Sequence, residues 1–295
     1  MNQNCARDPG IMRRLPPGER IDLKLNSKIS IRIYSDSRPH VLQTAKLQKG
    51  AVLVCEGIEL VEEGLGIGVP ICRYRDGTRF SLDAITCVND SEANPTIIKV
   101  YDMNGKAAKM FRGVSIRRET RLSHFIRTLE RLYQNFHKLR RVKNLTLNLV
   151  FLAGLTSQYL RSFSRGHIAV TYRLAESGLL VRADFTNLSQ EGLRAVIFGN
   201  EQGGRIFDSY SDSDGTRLKG REIEPWKKTG AKCASLNSAR FGVRFGLCKT
   251  QGWEIVRGKE VIRNRISWCG LSLLHIGFPE SLEYNVEIQE TASSD

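Results

Sequence analysis

Residues 167–185 read HIAVTYRLAESGLLVRADF, and this stretch decides the fold class. Ile168, Val170, Tyr172 and Leu174 alternate with His167, Ala169, Thr171 and Arg173, the period-two pattern of a half-buried strand. Glu176-Ser177-Gly178 supplies a turn, and Leu179, Val181, Ala183 and Phe185 form the returning strand. The same alternation recurs at Ile21/Leu23/Leu25, Ile29/Ile31/Ile33, Phe241/Val243/Phe245/Leu247, Ile262/Asn264/Ile266/Trp268 and Tyr284/Val286/Ile288. Asp76-Gly77 and Asn104-Gly105 predict two further hairpins, the second between Val100-Tyr101 and Met110-Phe111. Strands joined by tight antiparallel turns predict a mainly β protein, a large antiparallel β-sandwich of the supersandwich kind.

One segment breaks the alternation. Leu122, Phe125, Ile126, Leu129, Leu132, Tyr133, Phe136 and Leu139 fall three and four apart and predict one long amphipathic helix over 120–140. Residues 145–160 fit either strand or buried helix. The resulting organisation is an irregular leader over 1–20, a single β-sandwich domain over 21–290 and a tail over 291–295. An alternative division has two β lobes, 21–115 and 145–290, joined by the helix.

The chain of 295 residues carries a formal net charge of +14. Residues 105–143 hold twelve Lys and Arg against Glu119 and Glu130, so +10 is concentrated there and +4 is spread over the rest. Arg127, Arg131 and Lys138 fall opposite the apolar face of the expected helix, with Arg140 and Arg141 at its end. Such a stripe either keeps a helix face solvated or attracts a polyanion such as nucleic acid. No RNP, helix-turn-helix or KH pattern accompanies it. Hydrophobic residues make up 41%, a globular balance, and no apolar run approaches a membrane span. Seven cysteines without close pairing, and an N-terminus without an apolar signal core, predict a cytoplasmic protein with reduced thiols.

Nothing in the motifs calls for a cofactor or a metal. Glu62-Glu63-Gly64-Leu65-Gly66-Ile67-Gly68-Val69-Pro70 has glycines at every second position, which matches neither a dinucleotide fingerprint nor a Walker loop. Alternate glycines clear one strand face for another backbone or for a ligand. The cysteines show no zinc-ligand spacing. Residues 200–215, NEQGGRIFDSYSDSDG, are the densest polar stretch. Asp212 and Asp214 mimic part of an EF-hand loop, but Tyr210 and Arg221 stand where its first and last ligands belong. Two readings remain for this stretch: a turn-building loop, or a loose site for a divalent cation or sugar hydroxyls.

The stretch from Asn200 to Trp226, with Ser267-Trp268-Cys269-Gly270-Leu271, resembles the β-supersandwich style of galactose-mutarotase-like proteins over the last 130 residues. The resemblance implies loops framing a carbohydrate groove; it transfers no catalytic residue and leaves the basic segment unaccounted for. The expectation is therefore a carbohydrate-binding or carbohydrate-processing protein whose partner is a sugar or other small polar ligand. Tyr210, Asp212, Asp214, Arg205 and Trp226 would line the groove, and Glu201, Asp208 and His167 are the candidate acids and bases. Trp268, in register with apolar neighbours, is expected in the core. The alternative is a non-enzymatic polyanion binder using Arg127, Arg131, Lys138, Arg140 and Arg141.

Overall fold

The computed structural model describes residues 12–35, 38–39, 46–89, 95–111, 114–116, 154–224, 226–262 and 266–291, together with His124, Thr128, Leu145, Leu149 and Leu152. Two large antiparallel sheets dominate it. The first has ten strands, in the order Met12–Arg14, Asp83–Asn89, Thr96–Asp102, His167–Ala175, Gly178–Asp184, Ser281–Glu290, Val243–Cys248, Cys233–Ser238, Ser209–Asp212 and Arg217–Lys219. The second has nine. Its main path runs Val114–Ile116, Gly105–Phe111, Gly77–Phe80, Gly66–Tyr74, Leu193–Gly203, Ile266–Ile276, Glu254–Ile262 and Lys227–Lys228, and Leu155–Arg161 also pairs with Gly105–Phe111. A four-stranded sheet, Arg20–Lys24, Ile29–Tyr34, Val52–Cys55 and Ile58–Glu59, packs into the same core.

The period-two residues do what the alternation requires. Ile168, Val170, Tyr172, Leu179, Val181 and Ala183 of the first sheet bury against Val196, Phe198, Cys269, Leu271 and Leu273 of the second. Each buried aliphatic side chain of this kind contributes on the order of 2 kcal/mol. The hairpin read from residues 167–185 is present, with Ala175 opposite Gly178.

Other local expectations are corrected. The turn before Gly77 is centred one residue earlier than expected: Tyr74 pairs with Gly77, so Gly77 opens the strand. Asn104-Gly105 does not close a hairpin. Thr96–Asp102 belongs to the first sheet and Gly105–Phe111 to the second, so the dipeptide carries the chain across the sandwich. Ile262 to Trp268 is likewise two strands, with Ile262 opposite Ile266. The leader contains a strand, Met12–Arg14, at the edge of the first sheet. Residues 1–11 and 292–295 lie outside the described residues.

The long helix over 120–140 is not supported. Only His124 and Thr128 of that segment are described, both helical and exposed, with the Thr128 hydroxyl donating to the His124 carbonyl at 2.9 Å. Arg127, Arg131, Lys138, Arg140 and Arg141 lie outside the described residues. Within 145–160, Leu145, Leu149 and Leu152 are helical but exposed, and Leu155–Arg161 is a strand. No helix among the described residues is long and apolar enough to cross a membrane.

The cysteines depart from expectation as well. Cys233 and Cys248 form a disulfide across two neighbouring strands, and Cys87 is also disulfide-bonded. Cys55, Cys72 and Cys269 are free and buried. Partners 15 residues apart in sequence become adjacent only through strand register, which spacing alone does not reveal.

Asn200 ties the two sheets together. It is fully buried on Leu193–Gly203, and its Oδ1 accepts the Gly68 N–H at 3.0 Å and the Tyr284 hydroxyl at 2.7 Å. Its Nδ2 donates to the carbonyls of Leu271 at 3.0 Å and Phe198 at 3.4 Å. Gly68 is the extra residue where the register between Gly66–Tyr74 and Leu193–Gly203 shifts. Its φ of +78° and the Tyr172 ring 3.0 Å from where a Cβ would sit both demand glycine. Asn200→Ala leaves several buried groups unpaired and is expected to cost about 3 kcal/mol in urea unfolding, against about 1 kcal/mol for Tyr284→Phe. Equal, negligible losses would show that the network is dispensable.

Candidate functional site

The register shift at Gly68 sets which residues of Gly66–Tyr74 share the outer face of the second sheet with Glu201. With Cys269, Leu271 and Leu273 facing the core, Trp268, Gly270 and Ser272 face outward. One row across this face runs Gly258, Gly270, Glu201 and Gly66. The row beside it runs Glu260, Trp268 and Gly203. Trp226 enters the first row from the edge, just before the short strand Lys227–Lys228 pairs with Glu254–Ile262.

Glycine makes this surface a floor. A Cβ on Gly258 would fall 2.3 Å from the Trp226 ring, so the indole lies directly against the backbone there. A Cβ on Gly270 would fall 3.1 Å from both Cα and Cγ of Glu201, so the glutamate stem leans over that strand. Trp226 and the Glu201 stem thus lie over adjacent strands roughly 5 Å apart, while the carboxylate itself meets the Leu65 N–H. Trp226, Trp268, Glu201 and Glu260 are all half-buried.

The Glu201 carboxyl is pushed up to about 7. Crowding by protein is the main cause, and the negative charge of Glu260 adds to it. The Leu65 N–H, donating to Oε2 at 3.3 Å, and the Lys49 ammonium pull the other way without winning. Lys49 is buried and donates to the Glu62 carbonyl at 3.0 Å. Tyr159 completes this side. Its ring centroid lies 4.2 Å from that of Phe80, and burial together with the Glu201 charge holds its phenol in the neutral form. A carboxyl that titrates near neutrality can both give and take a proton at working pH.

The structure brings together only part of the expected set. Glu201 and Trp226 share the outer face of the second sheet. Arg205 reaches its margin: it pairs with Glu62 at 3.2 Å, and Glu62 packs against Gly203. Glu62 has a left-handed backbone with φ of +43°, unusual for a side-chain-bearing residue.

Tyr210 is 1% exposed, and its hydroxyl donates to Asp212 at 2.7 Å. Asp212 accepts the N–H groups of Asp214 and Thr216 at 3.1 and 3.0 Å, building the turn. Burial pushes its carboxyl up, but the Tyr210, Thr216 and Asp214 hydrogen bonds outweigh this and hold it below the usual range. Asp214 sits exposed in the same turn, at the edge of the first sheet. Asp208 is exposed, with its carbonyl accepting the Gly220 N–H at 2.6 Å. His167 lies on the outer face of the first sheet, away from Glu201.

Glu260, Tyr159 and the outward Trp268 were not anticipated. The alternation Gly258-Lys259-Glu260 and Trp268-Cys269-Gly270 carried the signal, but which phase faces inward is set by pairing with Leu193–Gly203, which the sequence alone does not show. Among the described residues no group of three His, Cys, Asp or Glu side chains is placed to hold a metal ion.

No family model matches the chain, and no curated protein does. Solved structures show a weak likeness to the chain. A galactose mutarotase-like protein from Lactobacillus casei superposes with a TM-score of 0.45 at 12% identity, covering 92% of this chain and all of that one. A galactose mutarotase-like protein from Clostridium acetobutylicum gives 0.44 at 10% identity, covering 96% and 99%. The resemblance is architectural.

Glu201 also makes stability depend on pH. Its folded pKa lies above the ordinary value of 4.5, so the folded state binds the extra proton between about 4.5 and 7. Stability should therefore fall as pH rises through that window and level off above it. The Glu201→Gln variant should lose this component and be the more stable protein at pH 8. A melting profile with the same pH dependence in both proteins would contradict the assignment.

Proposed function

We propose that the protein processes carbohydrates on the outer face of its second sheet, with Glu201 as the proton-transfer group. What supports this is the Glu201 side chain lying over Gly270, one strand from Trp226 on Gly258, with burial pushing its carboxyl up to about 7. Sugars have apolar ring faces and hydroxyl edges. An indole stacks on the first, and carboxylates accept hydrogen bonds from the second. The floor lets a ring approach the backbone closely, and Trp268 and Glu260 extend the surface. The chemistry within reach is proton transfer to or from a sugar oxygen, as in ring opening.

The expected groove therefore moves. The acidic loop around Asp212 does not line it, whereas Glu201 and Trp226 do. The cross-links at Cys233–Cys248 and Cys87 favour an oxidising compartment over the cytoplasm. Arg127, Arg131, Lys138, Arg140 and Arg141, on which a polyanion partner would rest, lie outside the described residues.

A panel of neutral monosaccharides and oligosaccharides, followed by tryptophan fluorescence and by NMR of anomer exchange, tests the proposal. Trp226→Ala and Gly258→Ala should each weaken binding about tenfold or more, the second by displacing the indole. Asp212→Asn should leave binding unchanged. Glu201→Gln should still bind but exchange anomers about 10²–10⁴-fold more slowly. Absence of sugar binding by the wild-type protein would overturn the reading.

A further inference from the structure

The strands Cys233–Ser238 and Val243–Cys248 form a hairpin of the first sheet, and both chains leaving its open end cross to the second. Residues 229–232 connect it to Lys227–Lys228, and residues 249–253 connect it to Glu254–Ile262. Those two strands pair with each other, Lys227 opposite Arg257 and Lys228 opposite Val256. The Cys233–Cys248 disulfide joins directly opposed residues where both crossings begin, and so holds the crossings side by side. Lys249 reinforces this. Its N–H donates to the Lys232 carbonyl at 2.8 Å and its Nζ to the Gly230 carbonyl at 3.2 Å. The far end of one crossing has little else to hold it: Lys227–Lys228 is two residues long at the sheet edge, and Trp226 immediately precedes it. Ala234 and Leu247 bury in the core, so the cysteines beside them face outward. Cys248 is exposed and Cys233 half-buried, whereas the free thiols of Cys55, Cys72 and Cys269 are buried. Exposed disulfides are the labile ones, because an attacking thiolate can reach a sulfur.

We propose that Cys233–Cys248 is an exchange site for small-molecule thiols, and that opening it loosens the segment carrying Trp226. An external thiolate attacks the exposed Cys248 sulfur, and the S–S electron pair leaves on Cys233, which takes up a proton. A second external thiolate attacks the external sulfur of the mixed disulfide, and Cys248 leaves and takes up a proton in turn. One protein bridge is reduced while two small thiols are oxidised to one disulfide. The ladder from Ala234 opposite Leu247 to Ser238 opposite Val243 does not need the bridge, so the hairpin stays paired. The effect is confined to the crossings: residues 229–232 slacken, Lys227–Lys228 frays and the indole loses its seat on Gly258. The consequence for ligand binding rests on the sugar reading above; the exchange itself does not.

Glutathione and dithiothreitol, applied to the folded whole chain, test it. Alkylation followed by peptide mass mapping should find Cys233 and Cys248 labelled and Cys55, Cys72 and Cys269 protected. Tryptophan emission should shift to the red on reduction, a change absent from Trp226→Phe, and amide exchange over 226–232 should quicken. The double variant Cys233→Ser/Cys248→Ser should show the red-shifted emission without reductant and no response to it. Sugar affinity should fall about tenfold on reduction. A bridge that stays closed in the folded protein, emission and exchange unchanged by its opening, or a sugar bound equally in both states would overturn the proposal. Oxidised protein that binds no sugar would overturn the sugar reading alone, because labelling, emission and amide exchange still decide this one.

Discussion

Four hydrogen bonds to one buried amide hold the arrangement on which the rest depends. Asn200 sits between two large sheets whose cores are otherwise apolar, where an unpaired amide would be costly. It is satisfied by the Gly68 N–H, the Tyr284 hydroxyl and the carbonyls of Leu271 and Phe198. These partners come from three strands of the second sheet and one of the first. The amide therefore fixes the bulge at Gly68 and the spacing of the sheets together. Nearby, Tyr101 and Tyr172 share a hydrogen bond at 2.9 Å, and the Tyr172 hydroxyl donates to the Gly68 carbonyl at 3.1 Å. Burial keeps these phenols neutral. Polar pairing inside the core thus specifies one register where apolar packing alone would tolerate a slip.

The bulge has a chemical consequence one residue away. Side chains alternate, so a register shift at Gly68 decides which residues of Gly66–Tyr74 meet Glu201. With the shift in place Gly66 faces it, and the Leu65 N–H reaches its carboxylate. Gly270 on the other side leaves room for the glutamate stem, and Gly258 beyond it leaves room for Trp226. A carboxylate crowded by protein and by Glu260, without a close cation to neutralise it fully, keeps its proton to near neutrality. In a chain of net charge +14 this local acidity is distinctive: the basic excess lies elsewhere, mostly in 105–143.

Much of this was legible in the chain, and the exceptions have physical reasons. Alternation at Ile168–Leu174 and Leu179–Phe185 marked the strands because each has one buried and one solvated face. Turn residues were a weaker guide. Asn104-Gly105 has the composition of a hairpin turn, yet the chain crosses between sheets there, since dipeptide geometry does not say which strand will be the partner. Trp226 and Glu201 were identifiable as an exposed aromatic and a loop-proximal acid. The Asp212–Asp214 turn looked equally chemical, but the Asp212 carboxylate accepts the backbone N–H groups of that turn. Trp268 resembled core because its neighbours were apolar, whereas its pairing opposite Gly203 and Glu260 puts it on the outer face. The Cys233–Cys248 cross-link was hidden for the same reason: both cysteines are separated in sequence and joined by register.

The claim at the centre is that the Asn200 network holds Glu201 in its raised-pKa setting. Carbon-13 NMR titration of the Glu201 carboxyl in the wild type and in Asn200→Ala, with Tyr284→Phe as the milder control, measures this directly. The account predicts a midpoint of about 7 in the wild type, a partial fall in Tyr284→Phe and a return toward 4.5 in Asn200→Ala. A wild-type midpoint near 4.5, or a folded Asn200→Ala protein that still titrates near 7, would contradict it.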